Sequence, residues 1–433
     1  MSLFMLQPMA FGAWLAMIPY IKETLALSKG QLAIALLGMP IALVPTLQLA
    51  SRVVAKIGPR KTFAILLPIQ TGVVLLPFLA TSVPPLFVTL AALGAVVAFL
   101  EVALNTYAGR LEKAEALNIM SRCHGFWALG VMIGSLLATQ LFGLGPMVAV
   151  FLICAVSAAL GIWSGLSLPK LRGEEEAANA KPRKLSQMPK VLFLISMFVF
   201  AVSLAEGAMA DWAAVYLAER WGGAAEDAGI AVSVFAGFLA AGRFMGDYMK
   251  GRLGARGVAR LTVGLALIGV ACLTLTTSVA FTFIGFSLIG LGVSIGFPLG
   301  ISAAASLDDT HEAQNIATMA MIAMTAFLFG PPLIGLTAEV FSLRVALMGL
   351  SPGLCLAFWL TRIFPKRLIT SESDESAPDS CLFSRVTSES PMNHPDSKRF
   401  TCDSRLNRRD SDALLGVTLW ITQNVVLAPP CQT

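Results

Sequence analysis

Glu101 and Asn105 stand four residues apart inside a long apolar run, a spacing that puts both on one face of a helix. A carboxyl surrounded by hydrocarbon costs on the order of 2.5–3.5 kcal/mol by insertion scales, so it is a functional candidate by default. Desolvation disfavours its charged form, which suits a group that takes up and releases a proton. The competing reading is a structural acid bonded to a neighbouring helix. Glu206 and Asp211 supply acids in a later run; five residues apart, they diverge by about 140° around a helix and are not expected to face one ligand. Glu206 is expected in a central cavity, as a second proton-coupling group beside Glu101. Asp211 with Trp212 reads either as an outer-mouth site or as a helix contact. Trp14 occupies the equivalent place to Trp212 in the first run, and such indoles serve as interfacial anchors or as aromatic faces for a ring-shaped solute. The substrate-cavity candidates are thus Trp14, Asn105, Asp211 and Trp212.

A different chemistry is written between two long apolar runs, in Gly246-Asp247-Tyr248-Met249-Lys250-Gly251-Arg252-Leu253-Gly254-Ala255-Arg256. This stretch predicts a tight turn at a membrane surface, with the acid capping a helix and the arginines in water pairing with anions. A weaker copy lies 196 residues earlier as Ser51-Arg52-Val53-Val54-Ala55-Lys56-Ile57-Gly58-Pro59-Arg60-Lys61, where Ala55 replaces the acid. Together with Arg243 and with His124, which is expected to hydrogen-bond at the start of its run, these turns form a cytoplasmic gate of Gly58, Arg60, His124, Arg243, Gly246, Asp247, Arg252, Gly254 and Arg256.

The elements that must carry these groups are apolar spans of about 20 residues. Twelve are expected, at roughly 2–21, 30–50, 62–81, 84–106, 120–142, 145–168, 190–218, 227–246, 258–277, 280–305, 315–336 and 340–364. The first continues into the repeat and lacks a basic leader, so it reads as a span rather than a cleaved signal. Trp14 and Trp212 lie 198 apart, Gly38 and Gly237 lie 199 apart, and Gly58 and Gly254 lie 196 apart. Such offsets mark a parallel duplication, which places a solute site between the halves near the midplane. The expected organisation is a six-helix bundle at 1–168, a cytoplasmic linker at 169–189, a second bundle at 190–368, and a disordered or artefactual tail at 369–433. Gly296-Phe297-Pro298 and Gly330-Pro331-Pro332 are expected to bend their helices, and Gly130 and Gly134 to let helices approach closely.

Composition agrees: 56% of residues are hydrophobic, 13% are charged, and the mean hydropathy is +0.75, so most of the chain must avoid water. The net charge of +5 is spread over short turns and is no nucleic-acid signal. Seven cysteines and three histidines show no metal spacing, and no phosphate-binding loop or catalytic triad appears. No cofactor, metal or enzymatic activity is expected. Lys and Arg number 20 on one side of the spans against 4 on the other, which sets both termini and the linker in the cytoplasm.

The twelve spans and the duplicated turns resemble the major facilitator superfamily over roughly residues 1–368, the second turn carrying the order of its Gly-x-x-x-Asp-x-x-x-Arg-x-Gly motif through Arg243, Gly246, Asp247, Arg252, Gly254 and Arg256, with one residue more between Asp247 and Arg252. Glu206-Gly207-Ala208-Met209-Ala210-Asp211-Trp212, Met120-Ser121-Arg122-Cys123-His124-Gly125 and Gly292-Val293-Ser294-Ile295-Gly296-Phe297-Pro298 are most similar to its fucose-permease-like branch, including the membrane proteins of rhizopine gene clusters. The resemblance implies an all-α membrane protein of two pseudo-symmetric six-helix bundles in the inner membrane. It also implies alternating-access transport by a monomer that meets lipid, a small solute and protons. Fucose permease uses an acid of its fourth helix as Glu101 would be used, yet no acid lies between Met1 and Ile21 to match its first-helix acid. The drug-antiporter signature is absent where Gly130-Val131-Met132-Ile133-Gly134-Ser135 stands. The reading reached is proton-coupled uptake of a sugar or polyol-like solute. Metabolite or drug efflux is the alternative within the class, and a non-transporting sensor on a transporter fold the alternative outside it. Cysteines placed between Lys170 and Lys190 should resist an impermeant thiol reagent in intact cells and react after permeabilisation; labelling from outside would invert the topology.

Overall fold

Ten segments are long and apolar enough to cross a membrane in the computed structural model, which describes residues 1–115, 119–169, 188–222, 227–307 and 311–365. All regular structure among them is helical. Residues 170–187 of the linker expected at 169–189 and the whole tail expected at 369–433 lie outside the described residues, as does the acidic pair Asp308 and Asp309.

The elements are α1 (Ser2–Thr24), α2 (Lys29–Leu36), α3 (Gly38–Ile57), α4 (Pro59–Val73), α5 (Val83–Glu115), α6 (Met120–Gln140) and α7 (Pro146–Leu166) in the first half. The second half holds α8 (Lys190–Trp221), α9 (Gly229–Leu275), α10 (Val279–Val293), α11 (Gly296–Ala305), α12 (Glu312–Val340), α13 (Leu343–Met348) and α14 (Leu350–Leu360). Against the twelve expected spans, α2 with α3, α10 with α11, and α13 with α14 each make one broken span. The 47-residue α9 covers two, and α6 is the span below the apolarity of the other ten.

The breaks follow backbone chemistry. Pro40, three residues into the run after Leu36, has no N–H for the Leu36 carbonyl, and the helix restarts at Gly38. The break before Gly296-Phe297-Pro298 falls where it was expected, whereas α12 runs unbroken through Pro331 and Pro332. The second basic turn departs from expectation more instructively. Gly246 and Asp247 sit inside α9 and cap nothing; the chain turns only at Gly254, with φ 70° and ψ 168°. Gly58 holds the same conformation in the first copy, at φ 81° and ψ 151°, a region that is essentially glycine's alone.

Beyond each turn glycine an arginine ties the half together. Arg60 donates to the carbonyl of Leu166 at the end of α7. Arg256 donates to the carbonyls of Phe364 (2.7 Å) and Arg362 beyond the end of α14. These side chains do not stand in water for anions, as expected from the sequence. They satisfy carbonyls that a helix end leaves without partners, at the negative end of its dipole.

Between halves, α6 and the first part of α9 lie antiparallel along their length. Ser121 Oγ donates to the Arg243 carbonyl near one end (3.4 Å), and the Ser135 and Ser233 hydroxyls meet at 2.8 Å farther along. Gly130 and Gly134 lie against the backbone of Met5 and Met9, so α1 and α6 touch at main-chain distance. At the end away from the basic turns, Glu219 of α8 bridges Lys22 (3.2 Å) and Lys29 (3.3 Å), and the Gly30 N–H donates to Glu339 of α12 (3.0 Å). Ser28 and Gln31 close a capping box there. α2 packs on α12, while α3 hardly touches it, so the halves part toward the basic turns. Gly58→Ala and Gly254→Ala should each cost about 1–3 kcal/mol, read as a lower melting temperature in detergent. Gly72→Ala, on an open helical surface, should leave it unchanged or slightly raised.

Candidate functional site

The gap between the halves is a cavity of about 690 Å³, walled by residues from α1, α2, α3, α5, α6, α8, α9, α11 and α12. Its lining is mostly apolar, with Phe11, Trp14, Phe235 and Phe327 among the aromatic residues. Polar groups are few, and they gather into two constellations.

The first is built on α5 and α6. Glu101 accepts a hydrogen bond from the Trp127 indole at 2.9 Å through Oε1, and one from the Asn105 amide at 3.3 Å through Oε2. Asn105 reaches back because four residues is one helical turn, and its amide also donates to the Glu101 carbonyl at 2.9 Å. Both donors are neutral, so no cation is hydrogen-bonded to the carboxyl. Sequence reasoning paired Glu101 with Asn105 and missed Trp127. The signal was there: an indole N–H inside an apolar span needs an acceptor, and few exist.

The second constellation crosses three helices. Arg243 of α9 donates to Glu206 of α8 at 2.8 Å, and to the His124 carbonyl of α6 at 3.2 Å. The arginine side chain is 7% exposed and the glutamate's 15%. Arg243 was expected at the surface gate; it lies instead at the junction of that gate and the cavity, because the buried Glu206 draws it in. Nε of Arg243 is buried without a partner, and so is Oε1 of Gln7, a cavity-lining residue that the sequence did not single out. His124 lines the same cavity and sets its ring edge-on to Phe4.

The remaining candidates divide. Trp14 is in the cavity wall, buried and edge-on to Phe78. Trp212 is fully buried and turned out of the cavity, its ring against Gly335 of α12, so the two indoles do not form a matched pair of faces. Asp211 does face the cavity with Glu206, despite the 140° between them, because the opening is wide enough to wrap that side of α8. At the gate, Gly246, exposed Asp247, Arg243 and Lys250 border a crevice of about 30 Å³ with Ser121 and Ser294. Arg252 stacks on Tyr248 at 5.4 Å. Gly58, Arg60, Gly254 and Arg256 belong to the turns and clamps described above. No group of His, Cys, Asp and Glu among the described residues could hold a metal ion.

A helical membrane bundle closed at one end around a sparsely polar cavity defines a carrier of small molecules. The chain belongs to the major facilitator superfamily, whose family model matches residues 1–313 and 192–421. An MFS-type transporter of Yersinia pestis is 30% identical over 350 residues, covering 79% of this chain and 89% of that protein. The membrane protein MosC of Rhizobium meliloti is 25% identical over 351 residues, covering 80% and 84%. Among solved structures, the nucleoside transporter NupG superposes with a TM-score of 0.64 at 14% identity, covering 84% of this chain and 98% of its own. A bacterial homolog of the human lysosomal transporter Spinster, inward-facing and occupied, gives 0.59 at 15% identity, with 84% and 96% covered. Those structural likenesses speak for the fold. Family membership makes the chain a transporter and not an enzyme.

The buried ion pair yields a direct test. Arg243→Ala leaves Glu206 without its partner and should destabilise the protein by about 3–5 kcal/mol. The double variant Glu206→Gln with Arg243→Gln should recover much of that loss in a detergent melt. Equal melting of the single and double variants would show that the pair is not coupled.

Proposed function

We propose that the chain is a secondary active transporter that takes up a small polar solute, sugar- or polyol-like, by alternating access driven by protons. The observation that carries this reading is Glu101: an acid held only by neutral donors, opening on the same cavity as the Glu206–Arg243 pair. Such an acid can be protonated without stranding a partner cation, whereas protonating Glu206 would leave Arg243 uncompensated. Glu101 is therefore the coupling residue, and Glu206 orients Arg243 toward the solute and the gate.

The bundles at 1–168 and 190–368 rock about their contact. The latch of Lys22, Lys29 and Glu219, with Glu339 on Gly30, holds the outer side shut while the cavity faces the cytoplasm. Both termini and the linker lie on the cytoplasmic side of the inner membrane, and the monomer is the working unit. The likeness to the fucose-permease branch supports a sugar-like solute. The structural likeness to a nucleoside transporter puts nucleosides in the same test panel.

Proteoliposomes with an imposed pH gradient decide the matter. Glu101→Gln mimics the permanently protonated acid and should still exchange solute in counterflow. It should lose accumulation against a gradient by tenfold or more. Full proton-driven accumulation by this variant would remove Glu101 from coupling.

A further inference from the structure

Among the described residues, the charged side chains that line the cavity are three acids, Glu101, Glu206 and Asp211, and one base, Arg243. Two of the acids are accounted for, Glu206 by the guanidinium and Glu101 by the indole and amide donors. Asp211 has neither a hydrogen bond nor an ion pair among the described residues, although it faces the cavity and is only partly exposed. A carboxylate in an apolar chamber, with nothing provided to compensate it, is complementary to a cation. The walls favour the same guest: Phe11, Phe297 and Phe327 are partly exposed residues of the lining, and aromatic rings attract ammonium groups.

We propose that Asp211 anchors the protonated amine of the solute, so that this cavity selects small polar molecules bearing an ammonium group over their neutral counterparts. The inference rests on the transport reading and narrows its solute class. Asp211 lies five residues beyond Glu206 toward the latched end, about 7.5 Å along the helix. That interval accepts a body of roughly one sugar ring, with the amine at Asp211 and hydroxyls at the level of Arg243. Gln7, 2% exposed in the wall of the cavity, leaves an acceptor oxygen unused and can take a hydroxyl donor after a side-chain rotation.

The test uses matched probes on the purified full-length protein in detergent and in proteoliposomes: glucosamine against glucose and N-acetylglucosamine, and choline against its neutral isostere 3,3-dimethylbutan-1-ol. Within at least one set the charged member should protect against thermal unfolding at a concentration at least tenfold lower than its neutral partners. Asp211→Asn should erase that preference and Asp211→Glu should retain it. Equal protection within both sets, or a preference that survives Asp211→Asn, overturns the proposal. The parent protein alone decides the first point, so a poorly folding variant does not rescue the idea. Counterflow of a neutral sugar or nucleoside with no amine preference would sink this inference and leave the transport reading standing. Preferential amine binding with no flux of any probe would do the reverse.

Discussion

An arginine and a glutamate that have left water together govern this structure. The Glu206–Arg243 pair sits where three helices from both halves meet, and hydrocarbon surrounds the bundle on every side. Neither ion is tolerable there alone. The pair therefore fixes the rotation of α8 against α9, and through the His124 carbonyl it fixes α6 as well. Once α8 is turned to present Glu206, the residues on neighbouring faces have no freedom. Asp211 comes round to the cavity, and Trp212 goes into the packing against α12.

The cavity is chemically asymmetric as a consequence. The first half contributes an acid with neutral donors, and the second contributes an ion pair and an unaccompanied carboxylate. The two halves thus differ in the chemistry of their interiors. The turns are alike where the cavity is not: the same glycine conformation recurs at Gly58 and Gly254, and an arginine follows each glycine by two residues and closes on the end of the last helix of its half.

Much of this was legible in the sequence. The all-helical membrane fold followed from apolar length, because that is an additive property of the chain. Glu101 with Asn105 was readable because four residues along one helix is a fixed geometry. The Glu206–Arg243 contact was not, since 37 residues and a helix reversal separate them and only packing sets their relative rotation. The placement of the turn at Gly254 rather than Gly246 shows a further limit. Both are glycines in basic surroundings, and only the demand for a positive φ tells them apart. Arg256 and Arg60 looked like surface charges because a sequence does not show which carbonyls a helix end leaves bare.

Those two arginine clamps carry a mechanical implication. Each closes a loop of 106 residues, joining the start of one helix to the end of the half's final span. A guanidinium on carbonyls at a helix end resists sliding, because any shear separates a full charge from the dipole it compensates. The third and sixth spans of each half are thereby locked as the two sides of a stiff frame. A displacement of the cavity wall in one half is then passed to that whole frame rather than absorbed at a single helix. The stiffness of each half is thus set at its basic turn, by a charge held on the end of its last helix.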